Sequence, residues 1–348
     1  MTWKDYVLKM KAKFVISKDI VLKQFNIVNE LVDYVSYSSK TNPLITKILE
    51  ENTGSMFSIH LINELKNVKD KSRVLFLAQA WNNDVINELI KQGIKWFVVD
   101  NENDLNCLLN YLDVNDVKIN LLLRLRLKEN TIRTEKYFVF GFKAEFISDK
   151  IKELRDNKNI ELLGIHFHRK TQNMAECNLK HELENTFDEE FFNKIDLINI
   201  GGGLPSEYAN TNVDVINNVM IKIKEVKDFL SKYKVKLMLE PGRFIAAPSG
   251  KLIAEIISVY DNNIIVNASV YNSDLDALIV PVKLKIENEG NGKPYVVKGL
   301  TPCSVDLFRY RVYLENPKIG DQITFLNAGA YNFSSDFCEL DKLETEIV

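Results

Sequence analysis

The sequence lacks the features by which several classes of protein are recognised. Its 348 residues contain only four cysteines, at positions 107, 177, 303 and 338, which lie far apart and form no CxxC pair. A disulfide framework or a zinc knuckle needs paired or closely spaced cysteines. We therefore expect four free thiols and predict no metal site.

Long apolar runs and an excess of one charge are also missing. No stretch approaches the roughly 18 residues of a membrane helix, and the amino-terminal MTWKDYVLKMKAKF lacks the apolar core of a secretory signal. The formal net charge is −3, with acidic and basic residues interspersed, so no strong field attracts nucleic acid or a membrane. These absences predict a cytoplasmic globular protein with a small-molecule partner.

Eight short β-rich runs recur between about residues 34 and 242, with charged, helix-like stretches between them. Several runs are continuously apolar, which is typical of parallel strands covered on both faces. Eight β–α units predict an α/β fold, a (β/α)8 TIM-like barrel over residues 15–245. The predicted strands are 34–40, 56–60, 73–79, 95–100, 117–127, 161–168, 196–201 and 235–242.

The pattern changes after about residue 245. Runs 251–260 and 263–271 alternate apolar and polar residues and are joined by Asp261 and Asn262, which favours an antiparallel hairpin. No low-complexity linker separates this region from the barrel. We predict a carboxy-terminal antiparallel β domain over 246–348.

Ionisable or flexible residues end the predicted barrel strands. Loops at the carboxyl ends of barrel strands converge on one mouth, where active sites form. The eight strand ends carry Lys40, His60, Gln79, Asp100, Arg126, His168, Gly201 and Glu240. This pattern is not required for packing and points to a site at the mouth, although we expect His60 and His181 to be structural.

A glycine run follows the seventh strand. Gly201, Gly202 and Gly203 allow close approach of a ligand to the backbone and offer amide groups to a phosphate, more so if a helix starts soon after. The alternative is a plain flexible turn. Gly242 and Arg243 follow the eighth strand, and barrels commonly hold phosphate after strands 7 and 8, which favours a phosphate-bearing ligand.

Two further strand ends carry groups suited to acid–base chemistry. A buried carboxylate at Glu240 must be paired or protonated, and a salt bridge with Arg243 is the structural alternative. His166 and His168 are two residues apart, and we expect only one of them to point with the inner residues of the barrel.

Lys40 ends an apolar, aromatic strand just before a polar turn. A lysine amine in a desolvated mouth has a depressed pKa and is suited to imine formation with a carbonyl compound. A phosphate cradle, a carboxylate and such a lysine together describe a site for pyridoxal 5′-phosphate. An aldolase also uses a lysine imine, but it needs neither Glu240 nor a β domain.

Six motifs in order resemble those of the fold-type III pyridoxal-phosphate decarboxylases, the family of diaminopimelate, ornithine and carboxynorspermidine decarboxylases, over nearly the whole chain. The sequence YSSKTNP is similar to the family's Y-x-x-K-x-N motif, and GIHFHRKTQ to its G-x-x-x-H segment. INIGGGLP, LEPGRF and the TPCSVD and NAGAY stretches follow.

This resemblance implies a role for each matching residue. Lys40 would hold the cofactor as an imine, His168 would stack on its ring, and Glu240 would keep the ring nitrogen protonated. Cys303 matches a cysteine that a partner subunit contributes, which implies a homodimer with shared active sites and a proton-returning role. The family's β domain also includes the first strand, here within residues 1–14. The implied phosphate ligands are Gly202, Gly203, Gly242, Arg243 and Tyr331.

The sequence departs from the family at positions that bind substrate. Ser58 stands where an acid is usual, and Arg169, Lys170 and Thr171 follow the histidine motif. The cysteine motif is shorter than usual and has Ser304 where an acid often grips the substrate, so Asp306 is the candidate for that role, together with Arg126. Val280 lies near the position of the family's specificity charge, and the choice among diaminopimelate, ornithine, lysine and carboxynorspermidine stays open.

The predicted function is therefore decarboxylation of an amino acid on pyridoxal 5′-phosphate. Two alternatives are racemisation on the same cofactor and a catalytically silent paralogue that regulates a decarboxylase.

Overall fold

The computed structural model describes residues 11–77, 79–126, 140–168, 178–211, 214–332 and 334–348. The chain divides into two compact units. The barrel unit comprises Leu22–Pro205 and Asp214–Gly242, and the β-rich unit comprises Met1–Val21, Ser206–Val213 and Arg243–Val348.

The first described strand, β1 (Lys13–Ile16), belongs to the β-rich unit. The next eight strands form a closed barrel in which each strand pairs in parallel with its neighbour and the last pairs with the first. This closure confirms the predicted (β/α)8 architecture. The barrel strands are β2 (Tyr34–Ser38), β3 (Met56–Ile59), β4 (Val74–Phe76), β5 (Trp96–Val99), β6 (Ile119–Arg124), β7 (Ile160–His166), β8 (Leu197–Asn199) and β9 (Lys236–Leu239).

Helices separate the barrel strands along the chain, as the alternation predicts, except between β3 and β4, where only 3-10 turns lie. Their apolar residues recur at helical spacing and supply the face that packs on the strands. They are α1 (Lys18–Asn29), α2 (Pro43–Asn52), α3 (Asn83–Lys91), α4 (Glu102–Val114), α5 (Ala144–Leu154), α6 (Leu179–Thr186), α7 (Glu189–Phe192) and α8 (Ile216–Ser231).

Six of the eight barrel strands contribute one buried side chain each to a single apolar cluster. Tyr34, Leu77, Trp96 and Leu162 pack against it. Packed layers of this kind make a barrel interior a core rather than a pore. The six side chains are Met56, Leu75, Val98, Leu122, Leu197 and Met238.

The β-rich unit is built on a mixed sheet with strand order β12-β15-β10-β11-β13-β14. In addition, β1 pairs with β10, and β16 pairs with β1. Three short helices belong to the same unit. The elements are α9 (Arg243–Ser249), β10 (Gly250–Tyr260), β11 (Asn263–Val266), α10 (Val270–Ser273), α11 (Asp276–Ile279), β12 (Lys285–Ile286), β13 (Lys293–Lys298), β14 (Leu307–Leu314), β15 (Gln322–Leu326) and β16 (Glu344–Ile347).

The prediction of a purely antiparallel domain is wrong for two strand pairs. β11 pairs in parallel with β13, and β1 pairs in parallel with β16. In both cases a long connection lies between the two strands, which is what parallel pairing requires.

The predicted strand 263–271 is also too long. It ends at Val266, and Ser269 then caps α10 by accepting a hydrogen bond from the Tyr271 amide at 3.1 Å. Polar residues that satisfy the backbone locally compete with a strand ladder, and here they win.

None of the helices in the described ranges is both long and apolar enough to span a bilayer. Three of the four cysteines lie in the described part of the chain, and all three are free thiols.

Arg73 binds three backbone carbonyl groups of residues 50–55 in the barrel unit. Its guanidinium donates hydrogen bonds to the carbonyl oxygens of Ser55 at 2.8 Å, Glu50 at 2.9 Å and Thr53 at 2.9 Å. The guanidinium carbon also lies 5.0 Å from the centre of the Phe57 ring. The end of α2 is thereby tied to the start of β3, because carbonyls left open at a helix end gain a partner.

Replacing Arg73 with alanine should lower the free energy of unfolding by about 2 kcal/mol, because three charge-assisted hydrogen bonds are lost at once. Urea denaturation measures this change. The control is Lys69→Ala, which removes an exposed ammonium 3.6 Å from Glu51 and should change stability by less than about 0.5 kcal/mol. Equal effects of the two variants would contradict the role given to Arg73.

Candidate active site

Lys40 lies in a tight turn directly after β2. The strand ends at Ser38, and Ser39–Thr41 form one turn of 3-10 helix before α2 begins at Pro43. The turn is fixed on both sides: the buried Tyr37 hydroxyl donates to the Asn42 carbonyl at 3.2 Å, and the Asn42 side chain accepts from the Leu44 amide at 3.1 Å. The motif therefore holds the lysine at the carboxyl end of the strand by capping the next helix.

The amine of Lys40 has an unusual electrostatic environment. Its side chain is accessible, yet enough protein surrounds the ammonium that partial desolvation lowers its pKa. Glu240 and Glu64 raise the pKa of Lys40, and Arg124 lowers it further, but desolvation is the largest influence. A lysine with a lowered pKa is neutral, and so nucleophilic, more often than a lysine with an ordinary pKa.

Glu240 follows β9 and is 6% exposed. One carboxylate oxygen accepts a hydrogen bond from the Asn199 side-chain amide at 2.7 Å and lies 3.4 Å from His166 Nε2. Burial alone would raise the pKa of Glu240, but His166 and Asn199 outweigh it and lower the pKa to about 2. The carboxylate is therefore ionised without a salt bridge to Arg243, whose guanidinium pairs with Asp276 in the β-rich unit.

His166 and His168 both lie next to polar groups of this site, with His166 Nε2 3.4 Å from a Glu240 carboxylate oxygen. His166 is 1% exposed, and burial lowers its pKa against the opposing influence of Glu240. Nδ1 of His168 accepts a hydrogen bond from the Gly202 amide at 3.3 Å. Burial lowers the pKa of His168 to about 3. The strand ends at His166, so period-two alternation does not extend to His168.

Backbone packs closely against this group of side chains. A Cβ on Gly202 would lie 2.7 Å from the Glu240 carbonyl oxygen, and Gly201 has a φ of 67°. A Cβ on Gly242 would lie 2.3 Å from Thr41 Oγ1, a buried hydroxyl with no partner among the described residues. The glycines are thus required by close approach, and an unsatisfied hydroxyl is left beside Gly242.

No helix follows the glycine run closely. The next described helix, α8, begins at Ile216, so a helix amino terminus does not support the amide groups of Gly202 and Gly203. By contrast, α9 starts at Arg243, immediately after Gly242.

The other strand ends form local pairs. The Gln79 side chain donates to Asp100 at 2.7 Å, and His60 Nδ1 lies 3.9 Å from a Glu64 carboxylate oxygen. The Arg126 guanidinium donates to the Gly141 carbonyl at 2.9 Å. This contact holds Arg126 to the loop backbone.

Arg124 and Asn199 are site residues that the sequence reasoning missed. Arg124 is half-buried, and desolvation lowers its pKa, while Asp100 and Glu240 raise it. Arg124 is the last residue of β6 and lies two residues before Arg126. The period-two alternation of a strand could therefore have identified it from Arg126. Asn199 lies between Ile198 and Ile200, and its contact with Glu240 depends on the pairing of β8 with β9. The predicted contributions of residues 169–171 lie outside the described residues.

In the β-rich unit, Arg243 is enclosed by partners. It pairs with both carboxylate oxygens of Asp276, and the Tyr208 hydroxyl lies 2.9 Å from its Nη1. The Tyr331 ring lies 4.8 Å from the guanidinium carbon, and Tyr331 has a φ of 55°. Burial alone would lower the pKa of Arg243, but Asp276 raises it above its ordinary value. Asp276 thus offsets the positive charge of this arginine.

Asp306 has a structural role in the β-rich unit, which corrects its proposed grip on the substrate. It is 2% exposed, and its carboxylate accepts hydrogen bonds from the Thr301 hydroxyl and amide, the Ser269 hydroxyl and the Val270 amide, at 2.6 to 3.0 Å. With four bonds made, its oxygens hold the Cys303 loop to α10. Cys303 itself is partly exposed.

Comparisons with known proteins agree with this geometry. The family model "Pyridoxal-dependent decarboxylase, pyridoxal binding domain" matches residues 18–247. A diaminopimelate decarboxylase of Bacteroides thetaiotaomicron is 26% identical over 213 residues, 55% of this chain and 53% of the relative. A carboxynorspermidine/carboxyspermidine decarboxylase of Campylobacter jejuni is 26% identical over 197 residues, 50% of each chain. The chain thus spans about half the length of these curated relatives.

A solved structure extends the likeness to the whole fold. The crystal structure of diaminopimelate decarboxylase from Helicobacter pylori complexed with L-lysine superposes with a TM-score of 0.83, covering 100% of this chain and 94% of that one at 20% identity. At this identity the likeness shows the fold. The family assignment follows from the match over 18–247: this chain belongs to the pyridoxal-dependent decarboxylase family, of which residues 18–247 form the pyridoxal-binding domain.

Proposed function

We propose that this protein binds pyridoxal 5′-phosphate and decarboxylates an amino acid. The observation that carries the proposal is the Lys40 amine, whose pKa is lowered by desolvation beside the ionised Glu240 carboxylate. A lowered pKa enlarges the neutral fraction of the Lys40 amine, and the neutral amine is the form that condenses with an aldehyde. The family assignment supports the same conclusion.

The residues present fit this cofactor. The barrel unit offers an amine at Lys40, a buried carboxylate at Glu240, an imidazole at His168, and glycine backbone at Gly202 and Gly242 that side chains would block. An aldehyde, a basic ring nitrogen, a flat ring and a phosphate would each find a matching group. When bound, the cofactor supplies a carbonyl that condenses with amines and a ring that accepts electrons.

Each barrel residue then has a defined task. Lys40 would hold the cofactor through its aldehyde and would give way to the amine of the substrate. Glu240 keeps a proton on the ring nitrogen, because an ionised carboxylate in a dry site stabilises a neighbouring positive charge. His168 presents a neutral imidazole face to the ring, since burial lowers its pKa to about 3. Gly202, Gly203 and Gly242 line the phosphate end.

The β-rich unit supplies the remaining proposed residues. Arg243 and Tyr331 keep their predicted role toward the phosphate, with Asp276 already offsetting part of the charge of Arg243. Cys303 returns a proton to the carbon that has lost carbon dioxide. The resemblance makes that cysteine a contribution from a partner subunit, so we propose a homodimer with shared active sites, located in the cytoplasm.

The substrate belongs to the diamino acids or carboxylated polyamines that the family's members use. Within the barrel unit Arg124 is a better candidate than Arg126 for binding a substrate carboxylate. Arg126 donates to the Gly141 carbonyl, whereas Arg124 lies close enough to Lys40 to influence its pKa. We propose diaminopimelate, ornithine, lysine and carboxynorspermidine as the panel to test.

Lys40→Ala should abolish both the visible absorbance of the bound cofactor and carbon dioxide release from this panel, because Lys40 is the one lysine among the residues proposed here to bind the cofactor. The control is Lys47→Ala, on the exposed face of α2, which should leave both intact. Absorbance before and after borohydride, with carbon dioxide measured from labelled substrates, gives the result.

Turnover by Lys40→Ala would contradict the mechanism. Wild-type protein without a visible band would indicate the silent regulatory paralogue, and loss of optical activity without carbon dioxide would indicate a racemase.

The low pKa of His168 predicts a pH-dependent stability. In the unfolded chain its imidazole takes up a proton near pH 6.5, but in the folded chain only near pH 3. Stability is therefore lost as pH falls from 6.5 toward 3. His168→Gln should reduce the loss between pH 7 and pH 5 by about 1–2 kcal/mol in urea denaturation.

His181→Gln makes the same chemical change on the exposed surface of α6 and should leave the wild-type pH dependence unchanged. If His168→Gln also left the pH dependence of stability unchanged, the low pKa of His168 in the folded chain would be refuted.

A further inference from the structure

Tyr271 and Cys303 form a close contact that the proposed mechanism does not use. Tyr271 lies in α10 and Cys303 in the loop between β13 and β14, and the phenol oxygen is 3.1 Å from the sulfur. Either atom can donate while the thiol is neutral. Once the sulfur has lost its proton, only the phenol can donate, because a thiolate has no hydrogen to give.

The phenol is held in place by its surroundings. The Tyr271 ring stacks on the Phe337 ring, with centres 4.0 Å apart and an angle of 23° between the planes. Its carbonyl oxygen accepts hydrogen bonds from the Ser335 amide and hydroxyl, both at 2.9 Å. Ser269 caps the helix start, and Asp306 ties Ser269 to the cysteine loop at 2.9 Å. A donor that is already oriented stabilises a developing charge without reorganisation.

The other groups around the sulfur act in both directions. The Tyr271 hydrogen bond is the largest influence and lowers the pKa of Cys303, and the backbone amides of Val305 and Asp306 lower it as well. Partial burial and the Asp306 carboxylate raise the pKa of Cys303. The contact with Cys303 is the largest influence on Tyr271 and raises its pKa to about 12, so the phenol keeps its proton.

We propose that Tyr271 is a positioning residue for Cys303: its phenol donates a hydrogen bond to the sulfur and stabilises the thiolate left after the thiol has given up its proton. This inference rests on the proposed function, in which Cys303 protonates the product carbon. In that step the S–H bond breaks with its electrons staying on sulfur, and a C–H bond forms at the carbon that has lost carbon dioxide. Nothing is oxidised, Tyr271 keeps its own proton, and the thiolate regains one from water.

The test is the rate at which iodoacetamide alkylates Cys303 in the full-length protein, measured across pH by mass spectrometry of the peptide that carries Cys303. Tyr271→Phe keeps the ring and its stacking on Phe337 but removes the donor. We expect alkylation at neutral pH to slow roughly fivefold, the effect of losing one hydrogen bond, and the midpoint of the pH profile to move to higher pH. With substrate, kcat should fall while KM stays unchanged.

Tyr310→Phe is the matched control, because Tyr310 is a tyrosine of the same unit that is 74% exposed; it should leave the Cys303 profile unchanged. An identical profile for Tyr271→Phe and wild type would overturn the inference. Faster alkylation of Tyr271→Phe would also overturn it, because it would mean that the phenol only shields the thiol. Failure of the proposed function shows separately, as a wild-type protein without bound cofactor, and does not alter the thiol profile.

Discussion

A carboxylate buried at the end of the last barrel strand is the constraint on which the site depends. Glu240 is 6% exposed, and a charge in such a place is stable only when neighbouring groups are arranged to accept it. Asn199 donates to it and His166 lies beside it, which requires β7, β8 and β9 to be in register. The same negative charge raises the pKa of Lys40 and so opposes the effect of desolvation. One carboxylate therefore influences both the neighbouring strand ends and the nucleophile.

The second constraint is the space that backbone occupies. Gly202 approaches the Glu240 carbonyl too closely for any side chain, and its amide is bonded to His168. His168, the Gly202 loop and Glu240 are therefore packed together rather than placed independently. A ligand at this end of the barrel meets groups whose positions are already fixed, which lowers the cost of binding and of stabilising charge.

The sequence predicts the barrel well because continuous apolar runs and strand-end polar residues are local signals. Lys40, His168 and Glu240 were found in this way, and the structure places all three in the barrel unit. Asn199 was missed because its importance arises only when the pairing of β8 with β9 puts it beside Glu240. The environment of Asp306 is hidden for a related reason: its four hydrogen bonds come from three residues in two separated segments. The parallel pairs of the β-rich sheet depend on long connections that no local pattern reveals.

The fold lowers the pKa of the Lys40 amine. This lowering can be tested on cofactor-stripped protein. Competitive labelling with an amine reagent, read by mass spectrometry, compares the pH profiles of Lys40 and the exposed Lys47. The account predicts that Lys40 reacts at distinctly lower pH than Lys47, because desolvation disfavours its charged form. Coincident profiles for the two lysines would contradict it.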